Sequence, residues 1–138
     1  FSEKIYILAR GTTALIARDF EFQLQLLGYN AFVLSDSQIM RNSKKLFKEN
    51  DIVMIFTLKN STPELEMSAK FAKEVGATVI TCCCIQGTSL EKYSDLSILG
   101  GRKKNNSMIE EFNVMSRLPL HIIARTLIGY MEFQLSPK

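Results

Sequence analysis

Short, unbroken apolar runs, each followed by residues at helical spacing, constrain this chain more than any other feature. Lys4-Ile5-Tyr6-Ile7-Leu8-Ala9, Ala31-Phe32-Val33-Leu34, Ile52-Val53-Met54-Ile55-Phe56 and Ala77 to Cys83 are four such runs, and Asp95 to Leu99 is a short fifth. A strand with one wet face alternates apolar and polar residues, whereas a strand covered on both faces does not. Between the runs, Ile16, Phe20, Leu24 and Leu27 fall on one helical face that Gly28 terminates. Ser35-Asp36-Ser37 opens a polar helix reaching about Lys48. Pro63 opens a third helix, carrying Met67, Phe71 and Val75 with Ala69 and Ala72 beside them, which ends at Gly76. Strand–helix alternation of this kind predicts an α/β fold. The expectation is a three-layer αβα sandwich around a five-stranded parallel sheet, with right-handed crossovers and the flavodoxin-like order 2-1-3-4-5.

Composition narrows the function classes. With 138 residues, 46% of them apolar and 22% charged, the chain suits one domain that buries roughly two thirds of its unfolded surface without a metal or disulfide. No internal repeat or linker interrupts it. No apolar run reaches the ~18 residues of a membrane span. The start, Phe1-Ser2-Glu3-Lys4, lacks both a Met and a signal-peptide pattern, which predicts a fragment of a longer chain. A net charge of +3 is mild. Its two clusters, Lys44-Lys45 with Lys48 and Arg102-Lys103-Lys104, read as a solvated helix face and a solvated loop, not as a nucleic-acid surface. Cys82, Cys83 and Cys84 are consecutive and no second Cys or His cluster exists, so neither a disulfide framework nor a metal site is expected. They read as small buried residues at a strand end in a reducing cytoplasm. Gly11 stands alone, without a dinucleotide fingerprint, and no cofactor is expected.

The tail has a different pattern. Ser107 to Gln134 is mostly helical in spacing, with Pro119 breaking or starting a helix. Arg117, His121, Arg125 and Glu132 fall near one stripe and nearly everything else is apolar. Such a helix either fills a core deeply or also meets another subunit; the expectation drawn from it is a homodimer.

Two loops carry the chemistry. Ala9-Arg10-Gly11-Thr12-Thr13 joins the first strand to the first helix, and Thr57-Leu58-Lys59-Asn60-Ser61-Thr62 joins the third strand to the third helix. Each sets small hydroxyl side chains beside a helix N-terminus, where free N–H groups and the helix dipole favour an anion, most often phosphate. Either loop alone is explained by helix capping. In the order 2-1-3-4-5, strands one and three are neighbours at the switch point, so both loops flank one crevice and together predict a small phosphorylated ligand.

These residues resemble the sugar isomerase (SIS) domain, which binds phosphosugars. Strand, Gly11-Thr12-Thr13 and an alanine-containing helix are similar to its opening. Thr57-Leu58-Lys59-Asn60-Ser61-Thr62-Pro63-Glu64 stands where the family has Ser-x-Ser-Gly-x-Thr-x-Glu, and Gly76-Ala77-Thr78-Val79-Ile80 follows in register. Ser89-Leu90-Glu91-Lys92-Tyr93-Ser94-Asp95 is similar to the segment before the last strand. The closing Ser116-Arg117 and apolar helix resemble the effector domain of RpiR-type bacterial transcriptional regulators. The resemblance implies a single Rossmann-like SIS domain over residues 1–138, with an N-terminal helix-turn-helix domain absent. It also implies that hydroxyls of the two loops hold the sugar phosphate. Thr13 stands at the first-loop Ser, Thr57 at the first Ser of the second signature and Thr62 at its Thr, with Thr12 and Ser61 beside them. Ala9 replaces a Gly, Lys59 a phosphate-binding Ser and Asn60 a Gly. Lys59 either pairs with the phosphate or fills the crevice.

The binding set expected is therefore Gly11, Thr12, Thr13, Thr57, Lys59, Asn60, Ser61 and Thr62. The function expected is an effector-sensing domain that takes a phosphorylated sugar, reaches DNA only through the absent domain and makes no membrane contact. Two other classes stay open. An aldose–ketose phosphosugar isomerase needs a base beside a carbonyl, and His121, Glu64, Glu110 and Glu111 have no telling partner in the sequence, so no catalytic residue is named. A ligand-free dimerisation scaffold draws on the Lys59 and Asn60 departures.

Overall fold

The computed structural model describes residues 4–57, 63–83, 89–99 and 118–135. In chain order these form β1 (Ile5–Leu8), α1 (Thr13–Leu26), β2 (Ala31–Leu34), α2 (Ser37–Arg41), β3 (Ile52–Thr57), α3 (Pro63–Val75), β4 (Thr78–Cys83), β5 (Leu96–Leu99) and α4 (Leu118–Leu135). Short 3-10 turns cover Ser43–Lys45 and Ser89–Tyr93. The strands make one parallel sheet in the order β2-β1-β3-β4-β5, as the sequence pattern predicts. The register sets Ile5 of β1 level with Ala31 of β2 and Ile52 of β3.

Side chains alternate between two cores, one on each face of the sheet. Ile5, Ile7, Met54, Phe56 and Cys82 pack with Ile16, Phe20 and Leu24 of α1 and with Leu120, Ile123, Ala124 and Ile128 of α4. Tyr6, Leu8, Val53, Ile55 and Val79 pack on the other face with Met40, Phe47 and Leu90 and with Leu65, Ala69 and Ala72 of α3. The sheet is thus covered on both sides, which is why its strands read as unbroken apolar runs.

Two helices differ from their sequence reading. The second stops at Arg41, well short of Lys48, because Asn42 leaves helical geometry (φ −108°, ψ 11°) and its side chain donates back to the Gln38 carbonyl at 2.8 Å. In α3 the buried face is Leu65, Ser68, Ala69 and Ala72; Met67 points out, and Phe71 and Val75 only flank the core. Small residues let that helix lie close to the sheet. The Ser68 hydroxyl is satisfied by the Met40 carbonyl at 2.9 Å, which also accepts from Ser43 at 2.7 Å.

Helix α1 also closes the β2 edge. Ile5 N–H bonds the Asn30 carbonyl and Ala9 N–H the Leu34 carbonyl, so Ala31 and Val33 turn their backbone groups away from β1. Glu21, one turn before Gln25 on α1, accepts from Val33 N–H at 2.8 Å, while Gln25 donates to the Ala31 carbonyl at 3.0 Å. An unpaired strand edge is a template for adding another strand. These two side chains occupy it and tie α1 to the sheet.

The approach to β5 is fixed by Asp95. Its carboxylate accepts from Lys73 Nζ and from Val79 N–H, both at 2.8 Å, and its own N–H donates to the Val79 carbonyl at 2.8 Å. The Lys73 hydrogen bond, then that of Val79, holds this carboxyl below its usual range. A depressed folded value contributes stability above the unfolded value of about 3.9, and that contribution is lost as pH falls through the folded value. Asp95→Asn is therefore expected to lower stability by a small, constant amount from pH 7 down to about pH 5. The gap to the parent should close below about pH 4. Urea unfolding at each pH checks this, and a gap that widens in acid contradicts it.

Candidate functional site

Strand β3 runs past its neighbour. Leu8, the last residue of β1, is level with Ile55, and Thr57 lies two residues further on, about 6–7 Å at strand rise. Past Leu8 the chain leaves the sheet through Ala9, Arg10 and Gly11 and enters α1 at Thr13. Gly11 has φ +61°, a left-handed value that a side chain resists, and nothing stands within 4 Å of where its Cβ would be. The turn, not crowding, selects glycine there. It brings Thr13 to the carboxyl edge of β1, beside the end of β3, where strand order reverses.

Thr13 and Thr57 are both more than nine-tenths buried. Among the described residues neither hydroxyl makes a hydrogen bond, and neither oxygen is among those buried without a partner, so each is reached from outside the core. Thr12 holds the N-cap position in helical geometry, and its hydroxyl caps nothing. The first turn is closed by backbone bonds instead, from Ala14 N–H to Gly11 O and from Leu15 N–H to Thr12 O, both 3.1 Å. Thr12 and Thr13 N–H groups make no backbone bond among the described residues. The capping explanation of this loop therefore falls. What stands at the positive end of α1 is a pair of free backbone donors and an unpartnered hydroxyl, the donor set an anion uses.

Arg10 is a site residue that sequence reasoning passed over. Its guanidinium is half-buried and donates to the Ser35 carbonyl at 3.3 Å, tying this loop to the one after β2. Its place between Ala9 and Gly11 was the available signal. Gly11, Thr12, Thr13 and Thr57 are brought to one edge of the sheet as expected; Lys59, Asn60, Ser61 and Thr62 lie outside the described residues.

The groups weighed for catalysis are differently occupied. Glu64, at the start of α3, pairs with Arg41 at 2.8 Å. His121 is exposed on α4, and Glu110 and Glu111 lie outside the described residues. Cys82 and Cys83 are buried at the end of β4, where burial and then Cys83 push the Cys82 thiol up to about 12. Cys82 keeps its proton at neutral pH and packs as a small apolar residue; Cys84 lies outside the described residues. No group of His, Cys, Asp and Glu among the described residues could hold a metal ion. No helix among them is long and apolar enough to cross a membrane.

A family model for the SIS domain matches residues 2–117, most of the chain. The chain belongs to the SIS domain family. An uncharacterized protein of Aeropyrum pernix is 27% identical to this SIS domain over 110 residues, which are 79% of this chain and 50% of that protein. The chain thus spans about half the length of that relative. Solved structures share the fold. The Vibrio vulnificus NanR protein complexed with ManNAc-6P superposes with a TM-score of 0.80 at 17% identity, covering 97% of this chain and 50% of NanR. The sugar isomerase domain of an RpiR transcription factor from Sphaerobacter thermophilus gives 0.80 at 13% identity, covering 96% and 72%. A Bacteroides fragilis protein assigned as a phosphosugar isomerase involved in capsule formation gives 0.80 at 16% identity, covering 96% and 70%.

Proposed function

We propose that this SIS domain is the effector-sensing domain of a sugar-responsive transcriptional regulator of RpiR type, and that it binds a phosphorylated sugar at the β1–β3 switch point. The observation that carries the binding reading is the pair of hydroxyls on the largely buried Thr13 and Thr57, accessible and with no hydrogen-bond partner among the described residues, beside the open N-terminus of α1. A phosphate supplies acceptors for both hydroxyls and for the Thr12 and Thr13 N–H groups, and the helix dipole favours its charge. Lys59, Asn60, Ser61 and Thr62 complete the proposed site from the second loop. The regulatory role is supported by the fold shared with the Sphaerobacter transcription factor and with NanR, whose structure holds a sugar phosphate. DNA contact would fall to a domain outside this chain.

A second reading, phosphosugar isomerase, is favoured by the fold shared with the Bacteroides protein. Against it, the Glu64 carboxylate is paired with Arg41.

A thermal-shift panel of sugar phosphates, N-acetylmannosamine 6-phosphate among them, with their unphosphorylated parents, tests the proposal. A phosphorylated sugar should raise the melting temperature and its parent should not; at a hundredfold excess over Kd the gain is roughly 2.7 kcal/mol. Incubation of that sugar with the protein then separates sensor from isomerase, since only an isomerase converts it. No shift with any phosphorylated sugar would leave the ligand-free scaffold as the better account.

A further inference from the structure

Arg10 carries a charge that nothing among the described residues answers. Of the arginines among them, Arg18, Arg41 and Arg125 are exposed, and only Arg10 is drawn partly out of solvent. A guanidinium offers five N–H donors. One of these reaches the Ser35 carbonyl at 3.3 Å, and the others have no partner among the described residues. No carboxylate among those residues comes within 4 Å of it. Asp36, next to Ser35, spends its Oδ1 on the Gln38 and Ile39 N–H groups, at 2.8 and 3.1 Å. Drawing a charge out of water costs free energy unless an opposite charge and hydrogen bonds offset it. Beside a binding crevice, a ligand can supply both.

The place of Arg10 in the fold says which part of the ligand that is. Ala9 N–H meets the Leu34 carbonyl just past the paired ends of β1 and β2, and Ser35 follows Leu34 directly. The guanidinium is therefore anchored at the carboxyl end of β2. Thr57 ends β3, on the opposite side of β1. Two strand spacings, about 10 Å, separate β2 from β3. A phosphate held by Thr13 and Thr57 lies toward β3, so Arg10 meets the far end of the molecule attached to it. Neutral hydroxyls at that end would leave its charge unanswered. A carboxylate or a second phosphate answers it, in the two-pronged geometry that suits a planar guanidinium.

We infer that Arg10 is a second anion subsite, and that the ligand of this domain is a phosphosugar bearing a second acidic group, a sugar-acid phosphate or a sugar bisphosphate. The inference rests on the phosphosugar reading and adds the class of sugar to it.

Calorimetric titration of the full-length protein tests it. Each sugar monophosphate of the thermal panel is matched with its aldonic acid phosphate and with its bisphosphate. The parent should bind one of the acidic members at least tenfold more tightly than the monophosphate, as a charge-assisted hydrogen bond implies. Which member it prefers tells a carboxylate from a second phosphate. Arg10→Gln, which keeps a donor for Ser35, should bring that pair to within about twofold of each other. Arg10→Lys, which keeps the charge, should retain part of the preference. A parent that binds monophosphates without favouring either acidic member overturns this inference and leaves the phosphosugar reading standing, whereas binding of no member overturns both. A preference that survives Arg10→Gln unchanged also overturns it, because another cation then holds the second group.

Discussion

Replacing Thr13 or Thr57 with Val is expected to weaken sugar-phosphate binding roughly ten- to a hundredfold each while changing the stability of the unliganded fold little. The affinity term follows from the bond removed: a hydrogen bond to a charged group contributes about 1.5–3 kcal/mol, and each 1.4 kcal/mol is about tenfold in Kd. The stability term follows from the absence of a partner in the fold. Both side chains are more than nine-tenths buried, and neither hydroxyl has a partner among the described residues. Exchanging such a hydroxyl for a methyl of the same shape breaks no hydrogen bond of the fold. The contrast between the two effects is diagnostic. A threonine whose hydroxyl served the fold would lose stability on becoming valine. Calorimetric titration with the sugar phosphate found in the thermal panel, beside the melting temperature of the free variants, reads both quantities. Unchanged affinity in both variants would remove these hydroxyls from the site.

The sheet was legible in the sequence because burial on both faces leaves a direct mark, runs such as Ile52 to Phe56 in which no polar residue breaks the pattern. The alternation of strands and helices marked the sheet as parallel, and its order matched the flavodoxin-like one expected. The helices were less legible where small or polar residues did the packing. Nothing in a count of apolar positions says that Ser68 is buried, since its place depends on a carbonyl of Met40 that lies 28 residues away. The end of α2 depends likewise on the Asn42 side chain bonding its own backbone. At the site, hydroxyls beside helix starts were visible, but their purpose was not. A capping threonine and a ligand-binding threonine have the same sequence signature, and only the unengaged hydroxyl of Thr12 separates them. Glu21 and Gln25 were invisible as edge caps because their partners, Val33 and Ala31, sit on a strand that their spacing does not specify.

The largest loss of stability is expected from Phe20→Ala. Phe20 of α1 and Phe56 of β3 meet edge to face, with centroids 5.5 Å apart and planes at 71°, and both are at most 1% exposed. Truncating a buried phenylalanine costs about 3–5 kcal/mol through lost transfer energy and the cavity left behind. That is a large part of the ~5–15 kcal/mol a domain has in total. For a chain of this size it lowers Tm by roughly 10–20 °C. Phe20→Leu keeps most of the volume and should cost less than half as much. The pair also bears on binding. Phe56 directly precedes Thr57, and Phe20 lies two turns along α1 from Thr13. Their contact fixes the helix that carries one hydroxyl against the strand that carries the other. Phe20→Leu, still folded at 25 °C, is therefore expected to bind a sugar phosphate several-fold more weakly although it touches no ligand, because two donors that no longer hold a fixed separation must be ordered by the ligand itself. Urea unfolding and calorimetry on the same variant check the two effects. A stability loss under about 1 kcal/mol for Phe20→Ala would place the pair outside the core. Parent-like affinity in Phe20→Leu would show that the separation of Thr13 and Thr57 is set by other contacts.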